Sequence, residues 1–508
     1  MEIWLAGISS IFSLKPLLVI VVGVAIGIIF GSIPGLTALM AVALCMPLTF
    51  GADAVIGLSL LCALYVGGVS GGLIAATLIN IPGTPSSVAT TFDGYPMTKR
   101  GESGRALGIG IFYSFLGGAL GFIVLFFGAP LMARIALRFG PFEYFCVAVF
   151  ALTLVASLSG KYISKGIATA ILGIIFAMVG LAPQDSYARF TFGFYDLDGG
   201  FGLLAVLTGI FAVSEILQAA EQAKKENQVA IPPFKMEGFF GLRPGEFLAQ
   251  IPNTLRSATI GVLIGILPGI GGSTSNLVAY SVAKDSSKYP EKFGTGIPDG
   301  IIASETSNNA SIGGALVTLI ALGIPGDGVT AMLLGGFMIH GIQPGPLLIQ
   351  TNGALIYSVF VALFVANIVM LVLEYYGIRI FAKLLKVPKY YLFPVIIVMC
   401  IVGAYGMNSR LFDVGSLLFF GTLGYIMIKL GYPIVPFILG FVMGPIMENK
   451  LRTALMSSNN EILPLITRPI SAITLLAAAL YLFFAWRRNK RKQMRDPDAF
   501  VQAAEVDE

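Results

Sequence analysis

Residues 54–83, AVIGLSLLCALYVGGVSGGLIAATLINIPG, decide the fold of this chain. The run from 54 to 79 has no charged residue, and an apolar run of about 20 residues is the signature of a helix that crosses a bilayer. Pro82 and Gly83 then end it, because proline removes an amide donor and glycine permits positive φ. The stretch therefore predicts a membrane helix that breaks at bilayer depth.

The same pattern recurs along most of the 508 residues, of which 56% are hydrophobic and 12% are charged. A soluble domain carries roughly 25% charged residues. We therefore predict an all-α polytopic membrane protein with about 11–13 transmembrane helices. The expected spans are 16–31, 54–79, 106–130, 141–158, 164–182, 201–220, 257–283, 300–323, 353–378, 390–407, 411–430, 433–447 and 468–486.

Several classes of protein are disfavoured by what the sequence lacks. The four cysteines (45, 62, 146 and 400) form no CxxC pair, His340 is the one histidine, and no GxxxxGK[ST] loop occurs. These features argue against a metal centre, a nucleotide-driven motor and an intramembrane protease. We expect no enzyme activity, no nucleic-acid partner and no cofactor, with Na⁺ as the one candidate ion. The apolar segment near the N-terminus lacks a cleavage signal and is expected to be retained.

Lys and Arg set the expected topology. Their clusters, the densest of which is WRRNKRKQMR at 486–495, all fall on one side when the spans between them are counted, with Arg134 and Arg138 as exceptions. Such clusters mark the cytoplasm, which puts the C-terminus there. The predicted domains are a first transmembrane repeat at 1–220, a cytoplasmic connecting segment at 221–256, a second repeat at 257–486 and a basic, then acidic, cytoplasmic tail at 487–508.

The two halves carry the same motifs in the same order. The first reads GSIPG (31–35), GG (71–72) and INIPG (79–83); the second reads GILPG (265–269), GG (313–314) and LGIPG (322–326). Duplicated halves with broken helices are typical of secondary transporters, whose binding site lies at the repeat interface. We therefore predict two structural repeats, each with Pro-Gly-broken helices or re-entrant segments.

Oxygen-rich side chains follow these breaks, whereas 16–98, 257–283 and 293–378 contain no Lys or Arg. An anion would therefore be held by backbone amides and hydroxyl groups, and carbonyl and amide oxygens would suit Na⁺. The candidate substrate-binding residues are Pro34, Gly35, Gly83, Thr84, Pro85, Ser86, Ser87, Gly269, Gly271, Ser273, Thr274 and Ser275. The candidate ligands of Na⁺ or H⁺ are Asn80, Glu305, Asn308, Asn309 and Asp327.

Two of these residues have competing interpretations. Glu305 lies in the apolar span 300–323, where a charge costs about 3 kcal/mol and is functional by default. It could instead close a helix end or an amide network. Asp327 would cap the helix after the last break, repel a substrate carboxylate or bind an ion.

The segments GSIPGLTALMAVALCMPLTFG, INIPGTPSSVATTFDGYPM and PEKFGTGIPDGIIASETSNNASIGG resemble the large membrane subunit of the tripartite tricarboxylate transporters. The resemblance implies an importer in the bacterial inner membrane, driven by an ion gradient, that receives a carboxylate such as citrate or tartrate from a periplasmic solute-binding protein. It also implies a small membrane subunit, a substrate path between the repeats and elevator-like alternating access.

The resemblance carries particular residues with it. The matching positions are Pro82, Gly83, Thr84, Pro85 and Ser86, then Pro268, Gly269 and Gly271, then Glu305, Asn308 and Asn309. Asp327 departs from the small or hydroxyl residue expected there, and His340 matches a loop of the family and is interpreted as structural. The alternative function is a stand-alone ion-coupled carrier or channel for a small anion, which would need no binding protein.

Overall fold

The computed structural model of this protein is almost entirely α-helical and describes residues 2–158, 163–222, 234–236, 238, 240–385 and 389–495. The helices are α1 (Glu2–Ile11), α2 (Leu14–Ser32), α3 (Ala38–Cys45), α4 (Ala54–Ile79), α5 (Val88–Lys99), α6 (Ser103–Ala136), α7 (Pro141–Leu158), α8 (Ile163–Ala177), α9 (Leu203–Thr208), α10 (Ser214–Gln222), α11 (Glu246–Ile266), α12 (Gly271–Asp285), α13 (Pro298–Leu322), α14 (Gly328–Ile339), α15 (Leu348–Thr351), α16 (Gly353–Leu384), α17 (Lys389–Asn408), α18 (Leu411–Lys429), α19 (Ile434–Ser457), α20 (Pro464–Thr467) and α21 (Pro469–Arg495).

The remaining regular elements are short. The 3₁₀ helices are Met46–Thr49, Pro85–Ser87, Tyr195–Leu197 and Pro290–Lys292, and Gly209–Val213 is a π-helix between α9 and α10. Strands β1 (Gly180–Leu181) and β2 (Ala188–Arg189) form an antiparallel pair with Gly180 opposite Arg189.

The polytopic membrane fold is confirmed. Eight helices in the described part are long and apolar enough to cross a bilayer, and five further apolar helices are shorter. Most predicted spans coincide with a helix, and the span predicted at 54–79 is α4. Most other predicted spans differ from the corresponding helices mainly at their ends. For example, α21 continues past 486 to Arg495.

The span predicted at 257–283, which includes the GILPG break, differs from the structure at its start. It begins earlier, at Glu246 of α11, and it is interrupted between Ile266 and Gly271. The interruption follows from Pro268 and Gly269, since Gly269 has φ 72°. Parts of other predictions lie outside the described residues, namely 223–233, 237 and 239 of the connecting segment and 496–508 of the tail. So do Lys161, which with Lys165 forms one of the basic clusters predicted to be cytoplasmic, and Lys224, Lys225 and Lys386 of other such clusters.

The helices form two compact units. Unit 1 comprises Met1–Ala133 and Gln218–Met407, and unit 2 comprises Arg134–Leu217 and Asn408–Glu508. This division describes packing, whereas the predicted repeats describe duplication along the chain, so the predicted domain boundaries stay a prediction. All four Pro-Gly breaks lie in unit 1.

Unit 2 is held together by close helix packing and by an ion-pair network. Gly173 of α8 and Gly440 of α19 approach the partner helix so closely that a methyl group on either would collide with a backbone carbonyl. Arg189 of β2 pairs with Glu448 at 2.6 Å, and Arg452 pairs with the same carboxylate at 2.9 Å.

Unit 1 is built on two helix pairs whose backbones nearly touch, α2 with α4 and α11 with α13. A methyl group on Gly27 would collide with the carbonyl of Leu64, and one on Gly261 with that of Ser307. Small residues allow such approach in membranes, where packing rather than hydrophobic exclusion holds helices together. These pairs fix the positions of the breaks that follow α2, α4, α11 and α13.

Candidate functional site

Each Pro-Gly motif interrupts a helix, as the sequence predicts. The breaks separate α2 from α3, α4 from α5, α11 from α12 and α13 from α14. Helices α5 and α14 each have 12 residues, which is less than the roughly 20 needed to span a bilayer. Unwound backbone at membrane depth is tolerated only where protein buries it or where it lines a wet cavity.

The backbone conformations of corresponding breaks agree. At the first break of each half, Ile33 and Leu267 are extended, and the glycine two residues later has φ 86° in Gly35 and 72° in Gly269. At the second break, the helix ends in a left-handed residue, with φ 59° in Asn80 and 73° in Gly323. Glycine adopts this conformation freely and asparagine tolerates it.

Close contacts of the breaks also correspond. A methyl group on Gly83 would collide with the carbonyl of Gly31 and with Gly72, and one on Gly326 would collide with the carbonyl of Gly265 and with Ala315. Gly31 and Gly265 are the first residues of GSIPG and GILPG. This agreement supports the predicted duplication, which stays a prediction.

Thr84 and Asp327 have the same local role. Each caps the helix after its break in a capping box with the residue three positions later, Ser87 and Thr330 respectively. Asp327 Oδ1 accepts from Thr330 N at 2.7 Å, and Asp327 N donates to Thr330 Oγ1 at 2.8 Å. The capping interpretation of Asp327 is therefore confirmed, while an added role in ion or substrate binding stays open to experiment.

Long helices of one half reach the break of the other half. Tyr65, on α4, donates its hydroxyl hydrogen to Asp327 Oδ2. Asn308, on α13, donates to the carbonyl oxygen of Ser86 at 2.9 Å, and Asn276, on α12, donates to the same oxygen. The Ser86 carbonyl is thus the point where the first half's second break meets the second half's polar helices.

Glu305 is fully buried within a network of neutral donors. Ser114 Oγ donates to its Oε2 at 2.9 Å, Asn308 Nδ2 donates to the same oxygen at 3.3 Å, and Thr90 Oγ1 donates to Oε1. Three donors stabilise a carboxylate strongly. The sequence offered an amide network as an alternative; the structure shows one amide donor and two hydroxyl donors, and ion binding by Glu305 stays a prediction.

Asn309 continues this network. Its Nδ2 donates to Asn308 Oδ1 at 2.6 Å and to the Glu305 carbonyl at 3.1 Å. Its own Oδ1 is buried and has no hydrogen-bond partner in the described residues. An unpartnered buried acceptor costs free energy, so this oxygen is available to a ligand.

The remaining candidates divide into those inside this cluster and those on its exposed side. A methyl group on Gly271 would contact Asp327, and one on Gly272 would contact Ser86 and Ser311. Ser275 is buried and donates to the Ser307 carbonyl at 3.4 Å. By contrast, the residues with exposed surfaces are Gly35, Asn80, Pro85 and Thr274. Of the others, Gly83, Thr84 and Ser87 are buried, Pro34, Ser86, Gly269 and Ser273 are half-buried, and Ser273 donates to the Ile270 carbonyl at 3.3 Å.

Tyr65, Thr90, Ser114 and Asn276 are not among the candidate site residues predicted from the sequence. Each contacts the cluster through a hydrogen bond to a residue at least 190 positions away. Thr90 and Asn276 follow a break within a few residues, and this position is the feature of the sequence that could have identified them. Tyr65 and Ser114 lie inside apolar spans with no distinguishing motif.

Asp93, from the DGYP motif, joins the two halves structurally. Its Oδ1 accepts from the backbone amides of Gly294, Gly296 and Ile297 at 2.8–3.0 Å. Its Oδ2 accepts from the Tyr280 hydroxyl at 2.8 Å. The carboxylate therefore fixes the chain at the start of α13, where amides have no helical partner.

His340 caps the C-terminal end of α14. Burial lowers the pKa of His340, and the nearby Asp53 carboxylate acts in the opposite direction. A lowered pKa favours the neutral ring near pH 7, which agrees with a structural role in its loop.

Comparison with known proteins places the chain in a family. The model of the tripartite tricarboxylate transporter TctA family matches residues 17–439. An uncharacterized 52.8 kDa protein in the TAR-I ttuC' 3'region of Agrobacterium vitis is 34% identical over 90% of each chain. An uncharacterized protein in the TAR-II ttuC' 3'region of the same organism is 35% identical over 46% of this chain and 98% of its own length. No solved structure matches. This chain therefore belongs to the tripartite tricarboxylate transporter TctA family, a family of transporter membrane subunits.

Proposed function

We propose that this chain is the large transmembrane subunit of a binding-protein-dependent importer of di- and tricarboxylates, such as citrate or tartrate, and that an ion gradient drives it. The observation that carries the proposal is the cluster around the Ser86 carbonyl. There, unwound backbone of one half meets Asn276 and Asn308 of the other. Family membership indicates the type of transport system, and the residues of the cluster indicate the type of ligand.

The cluster suits an anion that is held without a cationic side chain. Helices α5, α12 and α14 begin at breaks, and the first amides of a helix have no partner within it. These amides, with the positive end of the helix dipole, stabilise carboxylate groups. The hydroxyl groups of Thr84 and Ser86, which bond to each other at 2.9 Å, add a further donor, and a coupling ion beside the substrate would offset its charge.

We assign the substrate and the coupling ion to the two separate groups of residues that the sequence analysis predicts for them. The substrate would contact the residues of the breaks, and the coupling ion the acidic and amide side chains of α13 and its neighbours. The proposed substrate path runs between the two halves, and access alternates in an elevator-like movement. The proposed location is the bacterial inner membrane with a cytoplasmic C-terminus. The proposed partners are a small membrane subunit and a periplasmic solute-binding protein.

Uptake into proteoliposomes tests the proposal. The vesicles would contain this chain and its small partner subunit, and purified binding protein would be preloaded with labelled citrate, tartrate or another carboxylate. Na⁺ and pH gradients would be varied independently. We expect uptake that requires the binding protein and one of the two gradients.

Two variants make this test specific. Asn276→Ala and Asn308→Ala each remove a donor to the Ser86 carbonyl and should abolish uptake, because the break is then held incorrectly. Gln350→Ala, which removes an exposed amide, should leave uptake unchanged. Ser86→Ala alone is less informative, since the oxygen that receives both bonds belongs to the backbone. Uptake without binding protein would instead support the stand-alone carrier.

A further inference from the structure

A second buried carboxylate, Glu374 of α16, lies outside the motifs that define the site. Its side chain is fully buried. Ser70 Oγ, on α4, donates to Glu374 Oε2 at 2.9 Å. Glu374 Oε1 has no hydrogen-bond partner in the described residues. A carboxylate buried with one donor and a bare oxygen is poorly stabilised as an anion.

Glu374 also lies within electrostatic range of Glu305. Like charges in a buried site repel strongly, and such a pair does not ionise independently. No Lys or Arg forms an ion pair with either carboxylate in the described part of the chain. The two groups differ in their surroundings, because Glu305 has three donors and Glu374 has one.

The other titratable groups near α16 do not neutralise this pair. Helix α4 contributes Cys62 and Tyr65, and the Tyr65 hydroxyl is bonded to Asp327. Helix α2 carries Lys15 near its start, and on α6, which also contacts α16, Arg105 pairs with Glu246. On α16 itself, Arg379 and Lys383 are exposed. Glu374 is therefore buried without a cationic partner in the described residues, and a bound cation or a proton would neutralise it.

A second buried acceptor without a partner lies in the hydrogen-bond network of Glu305. Asn309 bonds to the Glu305 carbonyl and to Asn308, whose amide donates to the Glu305 carboxylate. The Asn309 Oδ1 atom is nevertheless buried without a partner. An unsatisfied acceptor thus lies in the Glu305 network on α13, in addition to the bare oxygen of Glu374 on α16.

We propose that Glu374 is a proton-binding site within the membrane and that its proton couples transport to the pH gradient. This inference rests on the proposed function, whose driving ion it identifies. Glu305 is the member of the pair that stays ionised, because Thr90, Ser114 and Asn308 solvate it. Glu374 takes the proton, and the bond to Ser70 then reverses, with the carboxyl group donating and the Ser70 oxygen accepting.

The surroundings of Glu374 favour a proton over Na⁺. A metal cation needs several oxygens around one point, whereas Ser70 supplies the one hydrogen-bonding contact to Glu374 in the described residues. A proton needs a carboxylate and no further ligand. Its binding also removes the charge that burial penalises most.

Infrared spectroscopy of the protein in lipid tests the protonation directly, without requiring transport. We expect the C=O stretching band of a protonated carboxyl group at neutral pH in the wild-type protein. Glu374→Gln should remove this band, and Ser70→Ala should shift its frequency because the hydrogen bond is lost. Glu461→Gln, at an exposed position, should leave it unchanged. A band that is absent in the wild type, or that persists in Glu374→Gln, would overturn the proposal.

Transport separates this inference from the proposed function. In proteoliposomes, Glu374→Gln should lose uptake driven by a pH gradient and keep exchange of labelled for unlabelled carboxylate, since a permanently neutral side chain blocks proton release and not substrate binding. Uptake that follows the Na⁺ gradient and is unaffected by Glu374→Gln would overturn the coupling role. A wild-type protein that moves no carboxylate would instead contradict the proposed function, while the infrared result would still decide whether Glu374 holds a proton.

Discussion

At the scale of single residues, Asp327 shows how a charged side chain can serve a local structural role inside a membrane protein. It caps α14 and accepts a hydrogen bond from Tyr65, whose ring is almost fully buried. The corresponding cap in the first half is Thr84, which is neutral. The charge of Asp327 is therefore not required for capping, and this can be tested by removing the charge while keeping a capping side chain.

We expect Asp327→Asn to preserve thermal stability and Asp327→Ala to reduce it. Asparagine caps helices about as well as aspartate, since its one oxygen can accept from Thr330 while its amide group donates to the Tyr65 oxygen, whereas alanine loses about 1–3 kcal/mol with both bonds. The apparent Tm of the purified protein measures this, with the exposed Asp196→Ala as control. Equal losses in Asn and Ala variants would contradict the capping role as the source of stability.

Asp93 is a second residue whose role follows from its partners. Three backbone amides and the Tyr280 hydroxyl converge on one buried carboxylate. Asp93→Ala should lower the apparent Tm by the loss of about 1–3 kcal/mol, because a buried hydroxyl and three amides lose their acceptor. It should also speed trypsin cleavage at Lys288 and Lys292, which lie in the segment that precedes these amides.

Asp285→Ala is the matched control for this experiment, since Asp285 is exposed at the end of α12 in the same region. Cleavage rates that remain equal in Asp93→Ala and the wild type would contradict an anchoring role for Asp93. The DGYP motif was visible in the sequence, but its acceptor role was not, because the amides that it binds are about 200 positions away.

At the scale of elements, the four breaks were predictable and their mutual contacts were not. Proline and glycine act through local backbone chemistry, so the ends of α4 and α13 could be placed from the sequence. The bonds from Asn308 and Asn276 to Ser86 depend on how two halves face each other. Glu374 was missed for the same reason, since its partner Ser70 is 304 positions away and no motif surrounds it.

The glycines of the second breaks give a prediction about both halves together. Gly83→Ala and Gly326→Ala should each reduce the yield of folded protein sharply, because the added methyl group meets backbone atoms that cannot move aside. Gly406→Ala, where nothing lies within 4 Å, should be neutral or slightly stabilising. Fluorescence-detected size-exclusion chromatography measures the folded fraction. Tolerance of Gly83→Ala alongside loss in Gly326→Ala would count against equivalent roles in the two halves.

At the scale of the whole molecule, the membrane fold could be predicted from the composition of the chain, whereas the number of crossings could not. Apolar runs identified most of the long helices, and the eight candidate spans in the described part agree with that class. Of the short helices that follow the breaks, α12 lies mostly inside the predicted span 257–283, whereas α3, α5 and α14 lie between predicted spans. Each of those three has 12 residues or fewer, which is less than the roughly 20 that a spanning helix needs, so hydropathy did not identify them.

Orientation is a prediction of this scale. Fusing green fluorescent protein to the C-terminus should give fluorescent cells, and fusing alkaline phosphatase there should give little activity, because the basic tail marks the cytoplasm. Alkaline phosphatase inserted after Asp185, between β1 and β2, should be active, since that loop lies one predicted crossing from the basic cluster at Lys165. Reversed results at both positions would contradict the assigned topology.

The glycine contacts between α2 and α4, and between α11 and α13, also bear on how the sequence can change over time. Gly27, Gly31, Gly261 and Gly265 each face a backbone carbonyl with no room for a methyl group. Every amino-acid replacement at these positions adds at least that group, so none is conservative. In a library of all single substitutions, these four positions should be depleted as strongly as any ligand-binding residue. Intolerance to mutation will therefore not by itself distinguish the transport site from the framework that holds it.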